Sequence, residues 1–469
     1  MNKIAKNLLS IASSSFISQF LAFIMIAYYA RILGAELFGR ISLAQTMMTY
    51  FTMITLFGFQ TSGTREVSKN ENNTEELASG IVITRFLVAI ICFLVIIGIS
   101  FGVNKGIVFR NILIVYGLTL FPLAFNLDWF YSGIQQMHHN AVYNVLKSGI
   151  PFVLIWILFK TKNDILLIPL FTFVGLLCAA FYHTIIFKKK FNFKISLRVN
   201  KKKIIRYVIA SIPFLLSGLL SMINCNIDSI LIGFIKGDYD LGIYSSAYKI
   251  IFFLINLIAV IFTPFFPLFI SYYHDKDIKN LKKVVNNVCK IVVLIGVPIV
   301  VGGIFLSKEI ILLVFGEQFI ESRMPFIILL LYILVLFMRE TYGYGLNAWN
   351  REGKYLKSVI ISSIVNLILN LIFIPRYGIV AASITTLVSE LLNFFIMRKY
   401  ALEVVSTNYL KNIAKIIIPI LFMSISILTL KYFNINVIVN IIFAIIVYFA
   451  LVICTKYIEV SELRGLIKK

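Results

Sequence analysis

Apolar stretches of about 20 residues, long enough to cross a hydrocarbon layer of about 30 Å as a helix, recur along the chain with short polar breaks between them. They fall near 9–33, 41–63, 80–103, 111–134, 145–160 and 165–187, then near 207–235, 243–272, 288–315, 325–348, 357–375 and 377–398, and lastly near 412–431 and 437–455. The pattern predicts an all-α polytopic membrane protein with about 14 transmembrane helices, twelve being the lower bound. The fifth stretch is the shortest.

Composition agrees. Hydrophobic residues make up 60% and charged residues 14% of the 469 positions, mean hydropathy is +0.93, and a soluble domain carries about 25% charge. The net charge of +23 suggests nucleic acid only until the basic residues are placed. Lys3, Lys6, the run from Lys188 to Arg206, the stretch from Lys276 to Lys283 and the tail ending Lys468 and Lys469 share the side of the N-terminus. That side holds roughly thirty Lys and Arg, whereas the opposite loops are short and carry one or two each. Both termini are therefore expected in the cytoplasm, the charge is topological, and no nucleic-acid partner is expected. The first apolar run ends in Arg31 without a small-residue cleavage pattern, which predicts a transmembrane helix rather than a signal peptide.

A weak internal repeat organises the spans. Gly39, Ser42 and Ala44 form G-x-x-S-x-A after the first span, and Gly242, Ser245 and Ala247 repeat that spacing after the seventh. Six intervening spans make the repeat parallel, with an axis along the membrane normal. The expectation is two six-helix lobes around a central cavity, 1–187 and 207–398, with a basic cytoplasmic linker at 188–206. Residues 399–469 add two helices and a basic tail.

Seven charges inside these spans stand out: Arg31, Arg85, Asp128, Asp228, Lys249, Arg339 and Glu340. Each costs about 2.5–3.5 kcal/mol at a helix centre on insertion scales, which marks a polar path. Topology places Arg31, Asp228 and Lys249 toward the outer side and the other four toward the inner side. Polar stripes accompany them at helical spacing: Ser217, Ser221, Asn224 and Asp228; Ser245, Lys249 and Asn256; Glu340, Tyr344 and Asn347; Ser362, Asn366 and Asn370. They read as cavity lining, the alternative being hydrogen bonds between helices. Arg31 and Arg85 have snorkelling to the headgroups as an alternative. Asp128 has Trp129 beside it, consistent with an interfacial anchor. Arg339 and Glu340 stand about 100° apart on a helix, so they need partners elsewhere. Prolines, among them Pro122, Pro213, Pro264, Pro267 and Pro298, supply candidate kinks.

Other chemistry is absent from the pattern. Cys92, Cys178, Cys225, Cys289 and Cys454 are isolated in apolar spans, implying neither disulfide nor metal site. His138 and His139 lack partners at ligand spacing and read as solvated loop residues. Asn72 opens a glycosylation sequon on the expected cytoplasmic side, where it is disregarded. There is no P-loop, no nucleophile elbow and no HExxH, so neither an enzyme nor a cofactor is expected.

The segments ARILGAELFGRISLAQ (30–45), TREVSKN (64–70), LDWFYSG (127–133), IPFLLSG (212–218), NIDSILIG (226–233), LGIYSSAYK (241–249) and NLILNLIFIPRYGIVAAS (366–383) together resemble Wzx-type polysaccharide flippases. These belong to the multidrug/oligosaccharidyl-lipid/polysaccharide exporter superfamily, and the resemblance covers nearly the whole chain. Ser132 stands where relatives often have Gln. The resemblance implies a bacterial inner-membrane protein that moves undecaprenyl-diphosphate-linked repeat units to the outer leaflet, for capsule, O-antigen or exopolysaccharide, beside a polymerase and glycosyltransferases. Arg31, Arg85, Lys249 and Arg339 would then bind the diphosphate through charge-assisted hydrogen bonds. Asp128, Asp228 and Glu340 would orient them or take a coupling ion. The alternatives are a flippase for another lipid-linked cell-wall precursor, a multidrug or cation antiporter of the same superfamily and, from a different class, a channel or membrane-embedded enzyme. The acidic cation site usual in the first span of drug antiporters is missing here.

Overall fold

The structure, a computed structural model, describes residues 3–69, 74–192, 196, 201–455 and 457. The sequon asparagine Asn72, parts of the basic linker and the terminal Lys468 and Lys469 lie outside the described residues, as do the side chains of Ser221 and Asn224. The described residues form helices and connecting turns, with no strand. The protein is an all-α polytopic membrane protein, and ten of its described helices are long and apolar enough to cross a bilayer. Large apolar side chains such as Ile91 (61% exposed), Leu94 (61%) and Ile446 (60%) face outward. In water this surface would be a liability; in lipid it is the solvated face.

Two helices carry two expected spans each. α1 (Lys3–Leu56) leaves helical geometry at Gly34, with φ 78° and ψ 174°. Further on, α15 (Glu352–Leu402) does so at Gly378, with φ 62° and ψ −141°. The first break falls between expected spans and the second at the start of the span expected at 377–398, both in backbone that L-residues with a side chain avoid. Glycine thus makes these turns, whereas helices continue through Pro151, Pro213, Pro298, Pro375 and Pro419.

The chain divides into two compact units, Met1–Gly242 and Ile243–Lys469. In the first unit, α1 is followed by a short amphipathic helix α2 (Phe59–Lys69), then α3 (Thr74–Gly102). The fourth crossing is broken into α4 (Gly106–Gly117), α5 (Leu120–Ala124) and α6 (Asp128–Gly133). The short fifth stretch is in fact α7 (His138–Leu158), a 21-residue helix, because polar residues at its start are helical too. It pairs with α8 (Leu167–Phe191), and α9 (Lys201–Ile235) packs against α1, α2 and α3. The ends of α8 and α9 therefore reach into the expected linker. A core of Phe59, Val67, Leu77, Trp129, Phe130 and Phe187 seats α2 and α6 on the bundle.

The boundary between units falls within α10 (Asp238–Phe262). The second unit continues with α11 (Phe266–His274), α12 (Ile278–Phe305), α13 (Ser307–Val314) and α14 (Arg323–Ala348). After α15 come α16 (Tyr409–Tyr432) and α17 (Val437–Cys454). Here α14 lies along α15, and α12 packs on α14 and α16.

Candidate functional site

Arg85 is wholly buried in α3. Its Nε donates to the carbonyl of Leu56 at 3.2 Å and its Nη1 to that of Asn126 at 2.7 Å. Both carbonyls sit at breaks between helices, where the backbone lacks its i+4 donor. The ring of Phe59 lies 5.8 Å from the guanidinium carbon. The remaining nitrogen, Nη2, is buried with no hydrogen-bond partner among the described residues.

Asp128 begins α6 and accepts the Trp129 backbone N–H at 2.8 Å. Its own N–H goes to the Asn126 side chain at 3.0 Å. The carboxylate is within electrostatic reach of both Arg85 and Lys147, so two cations share one anion. Its neighbour Trp129 is 0% exposed, which corrects the interfacial-anchor reading: the indole is core packing. His139 is likewise not a solvated loop residue. It is 5% exposed and its Nδ1 lies 2.8 Å from the Tyr182 hydroxyl, because α7 begins before it.

In the second unit the charge ratio is reversed. Arg339, 8% exposed, donates from Nε to Glu390 Oε1 at 2.7 Å and pairs through Nη1 with Glu340 Oε1 at 2.9 Å. Glu390 is the partner elsewhere that the adjacent pair requires, and the length of the arginine side chain lets it reach its chain neighbour as well. Tyr355 also contacts the guanidinium. The two limbs of α15 meet across a buried ladder: Asn366 donates to Ser389 Oγ at 3.2 Å, Asn370 to Asn366 Oδ1 at 3.0 Å, and Thr385 to Asn370 Oδ1. Asn366 and Asn370 are thus placed in bonds between limbs, 3% and 0% exposed.

The other sequence candidates differ in burial. Arg31 and Ser217 are exposed, and Asp228 is buried. Lys249, Asn256, Tyr344 and Asn347 are half-buried. The Asn256 amide donates to the Phe252 carbonyl at 2.8 Å, and Tyr344 stacks on Phe262 at 4.9 Å. Sequence reasoning missed Glu390 and Lys147, although both lie inside expected spans and carry the same insertion cost that singled out the other seven.

The repeated motif marks a close crossing. A Cβ on Gly39 would stand 1.7 Å from the Asp238 carbonyl oxygen, and one on Gly242 would stand 1.9 Å from that of Ala35. Each glycine meets the residue four positions before the other, so the contact is reciprocal. Asp238 then receives Arg40 Nε at 3.0 Å and Lys105 Nζ at 2.5 Å, and Arg40 also pairs with Glu36 at 2.6 Å.

This helical architecture is shared with a known class of membrane transporters. It is similar to that of the lipid II flippase MurJ in an inward closed conformation, with TM-score 0.75, 16% identity and coverage of 94% of this chain and 97% of that one. A likeness at that identity concerns the fold. A family model described as polysaccharide biosynthesis protein matches residues 4–273, more than half of the chain, which belongs to that family. Among relatives, the capsular polysaccharide biosynthesis protein CapF of Staphylococcus aureus is 24% identical over 254 residues, covering 53% of this chain and 62% of that protein. A putative O-antigen transporter of Shigella dysenteriae is 23% identical over 388 residues, covering 80% and 94%.

Proposed function

We propose that the protein is a flippase that carries an undecaprenyl-diphosphate-linked oligosaccharide repeat unit across the cytoplasmic membrane by alternating access, for capsule, O-antigen or exopolysaccharide assembly. The observation that carries this reading is the buried cation surplus around Arg85. A buried N–H without an acceptor costs about 1–3 kcal/mol. Such a group suits a site whose acceptor arrives and leaves. A diphosphate supplies that acceptor as an anion, with charge-assisted bonds about twice as strong as neutral ones. Lys147 is placed to share it; Arg31, Lys249 and Arg339 are further contacts along the path, with Ser217, Ser221, Asn224, Asn256, Tyr344 and Asn347 meeting the sugars.

The lipid tail needs the opposite environment. The second unit contains a cavity of about 390 Å³ lined by apolar groups, among them Leu254, Pro298, Leu330, Met423 and Phe449. A polyprenyl chain fits its chemistry. The assignment agrees with the names of the relatives and with membership of the family.

Two negative charges leaving an interior-negative cell gain about 4–5 kcal/mol per 100 mV, so the membrane potential drives export. The carboxylate surplus at Glu340 and Glu390, with Asp128 and Asp228 as further members, supports a second reading in which a cation is exchanged. We place both termini in the cytoplasm on the basic-loop asymmetry, keep the lobes at 1–187 and 207–398, and take the polymerase and glycosyltransferases of the same polysaccharide as partners. Depletion tests the whole proposal: lipid-linked oligosaccharide should accumulate on the cytoplasmic leaflet. An unchanged leaflet distribution with polymer output intact would refute it.

A further inference from the structure

A second basic feature lies apart from Arg85. Helix α2 leaves the bundle after Gly58, where a Cβ would stand 2.8 Å from both Leu215 N and Ser211 O of α9. This close approach, with Ser62 Oγ 2.6 Å from Ser211 Oγ, fixes α2 against α9. The cleft between them, about 80 Å³, has Arg65, Glu66 and Arg206 at its mouth and the buried Phe59, Leu77 and Ile81 as its floor. Both arginines are exposed. Glu66, the one acid of the lining, lies 3.8 Å from Lys69, which offsets part of its repulsion.

Arginine presents a planar fork of donors that matches phosphate oxygens. Two such forks over an apolar floor describe a site for an anionic head with a greasy body. The α9 surface next to the cleft continues that body outward, with Ile205 57% and Ile209 61% exposed one turn apart. Arg65 lies two residues beyond the expected second span and Arg206 one residue before the expected seventh, the depth expected of a headgroup phosphate.

We infer that the α2–α9 cleft binds the phosphate of an anionic membrane lipid, with Arg65 and Arg206 as its clamp and the acyl chain lying along Ile205 and Ile209. Free phosphate shares the recognising chemistry but gains nothing from the apolar floor. This site is independent of what the protein transports.

The test uses the full-length protein in detergent, titrated with dihexanoyl phosphatidic acid, dihexanoyl phosphatidylcholine or inorganic phosphate, and read as a thermal shift. Phosphatidic acid should bind saturably and the other two at least about ten-fold more weakly; the double variant R65Q/R206Q should lose at least about ten-fold in affinity. Removing two exposed charges elsewhere, with K282Q/K283Q, should leave binding unchanged. Glu66→Gln should tighten it, an effect opposite in sign to any loss of folding. Equal loss in the two double variants, unchanged binding in R65Q/R206Q, or inorganic phosphate binding as tightly as the lipid would overturn the inference.

Discussion

Arg85 and Arg339 are both buried arginines in apolar helices, yet their surroundings make opposite use of the charge. Arg85 rests on two neutral carbonyls, shares one carboxylate with Lys147 and has a nitrogen without an acceptor among the described residues. Arg339 is held by two glutamates. A guanidinium bound to carbonyls keeps its field, while one held between two carboxylates is more than neutralised. On the proposed reading, availability of charge ranks Arg85 ahead of Arg339 as a contact for an anionic ligand.

Substitutions can break that contrast in a graded order. Arg339→Gln should be the most damaging to folding, since it leaves two buried carboxylates without their cation, a loss of about 3–5 kcal/mol. Thermal unfolding in detergent reads it, and R339Q/E390Q should recover part of the loss; equal destabilisation in both variants would contradict the neutralising role given to Glu390. Arg85→Gln should retain most of the fold but reduce polymer output roughly 30- to 160-fold, the value of one charged hydrogen bond of about 2–3 kcal/mol. Arg85→Lys should not rescue it, because lysine lacks the fork that spans Leu56 and Asn126.

A smaller effect is expected at the glycine crossing. In a cysteine-free background, Gly242→Ala should make a cysteine placed at Ser42, which is 2% exposed, reactive to a membrane-impermeant maleimide. No gain in labelling would mean that the crossing tolerates the methyl. The smallest effect concerns an exposed counterpart of the Arg85 arrangement. Arg351 and Lys354 both pair with Glu403, at 2.5 and 2.6 Å, and these hydrogen bonds hold its carboxyl below the ordinary value of 4.5. A lowered folded value makes the stabilisation complete above the unfolded value and lost as pH falls through the folded one. The melting temperature should therefore be flat from pH 7 to 5 at this site and drop below that, with a shallower drop in Glu403→Gln.

The intramembrane arginines were legible in the sequence because the cost of a buried charge depends on position alone. Their partners were not. Leu56 and Asn126 contribute backbone oxygens, which residue type does not advertise, and Glu390 lies 51 positions from Arg339. Helical spacing put Asn366 and Asn370 on one face, but whether that face meets water or Ser389 and Thr385 is decided by the reversal of α15 at Gly378. The helices themselves followed from apolar periodicity, and the glycine breaks inside α1 and α15 lie at the boundaries where hydropathy separates the spans. The repeat gave the two glycines without indicating that they touch.

That reciprocal crossing makes Gly39 and Gly242 a single mutational target despite their distance in the chain. A methyl on either one forces the same two segments apart, and once they have parted, a methyl on the other meets no further obstacle. Alanine at both positions should therefore be hardly worse than alanine at one, a strong departure from additivity. Loss of either glycine would relax selection on its counterpart, tying the histories of the two segments together through an interaction that involves no side chain.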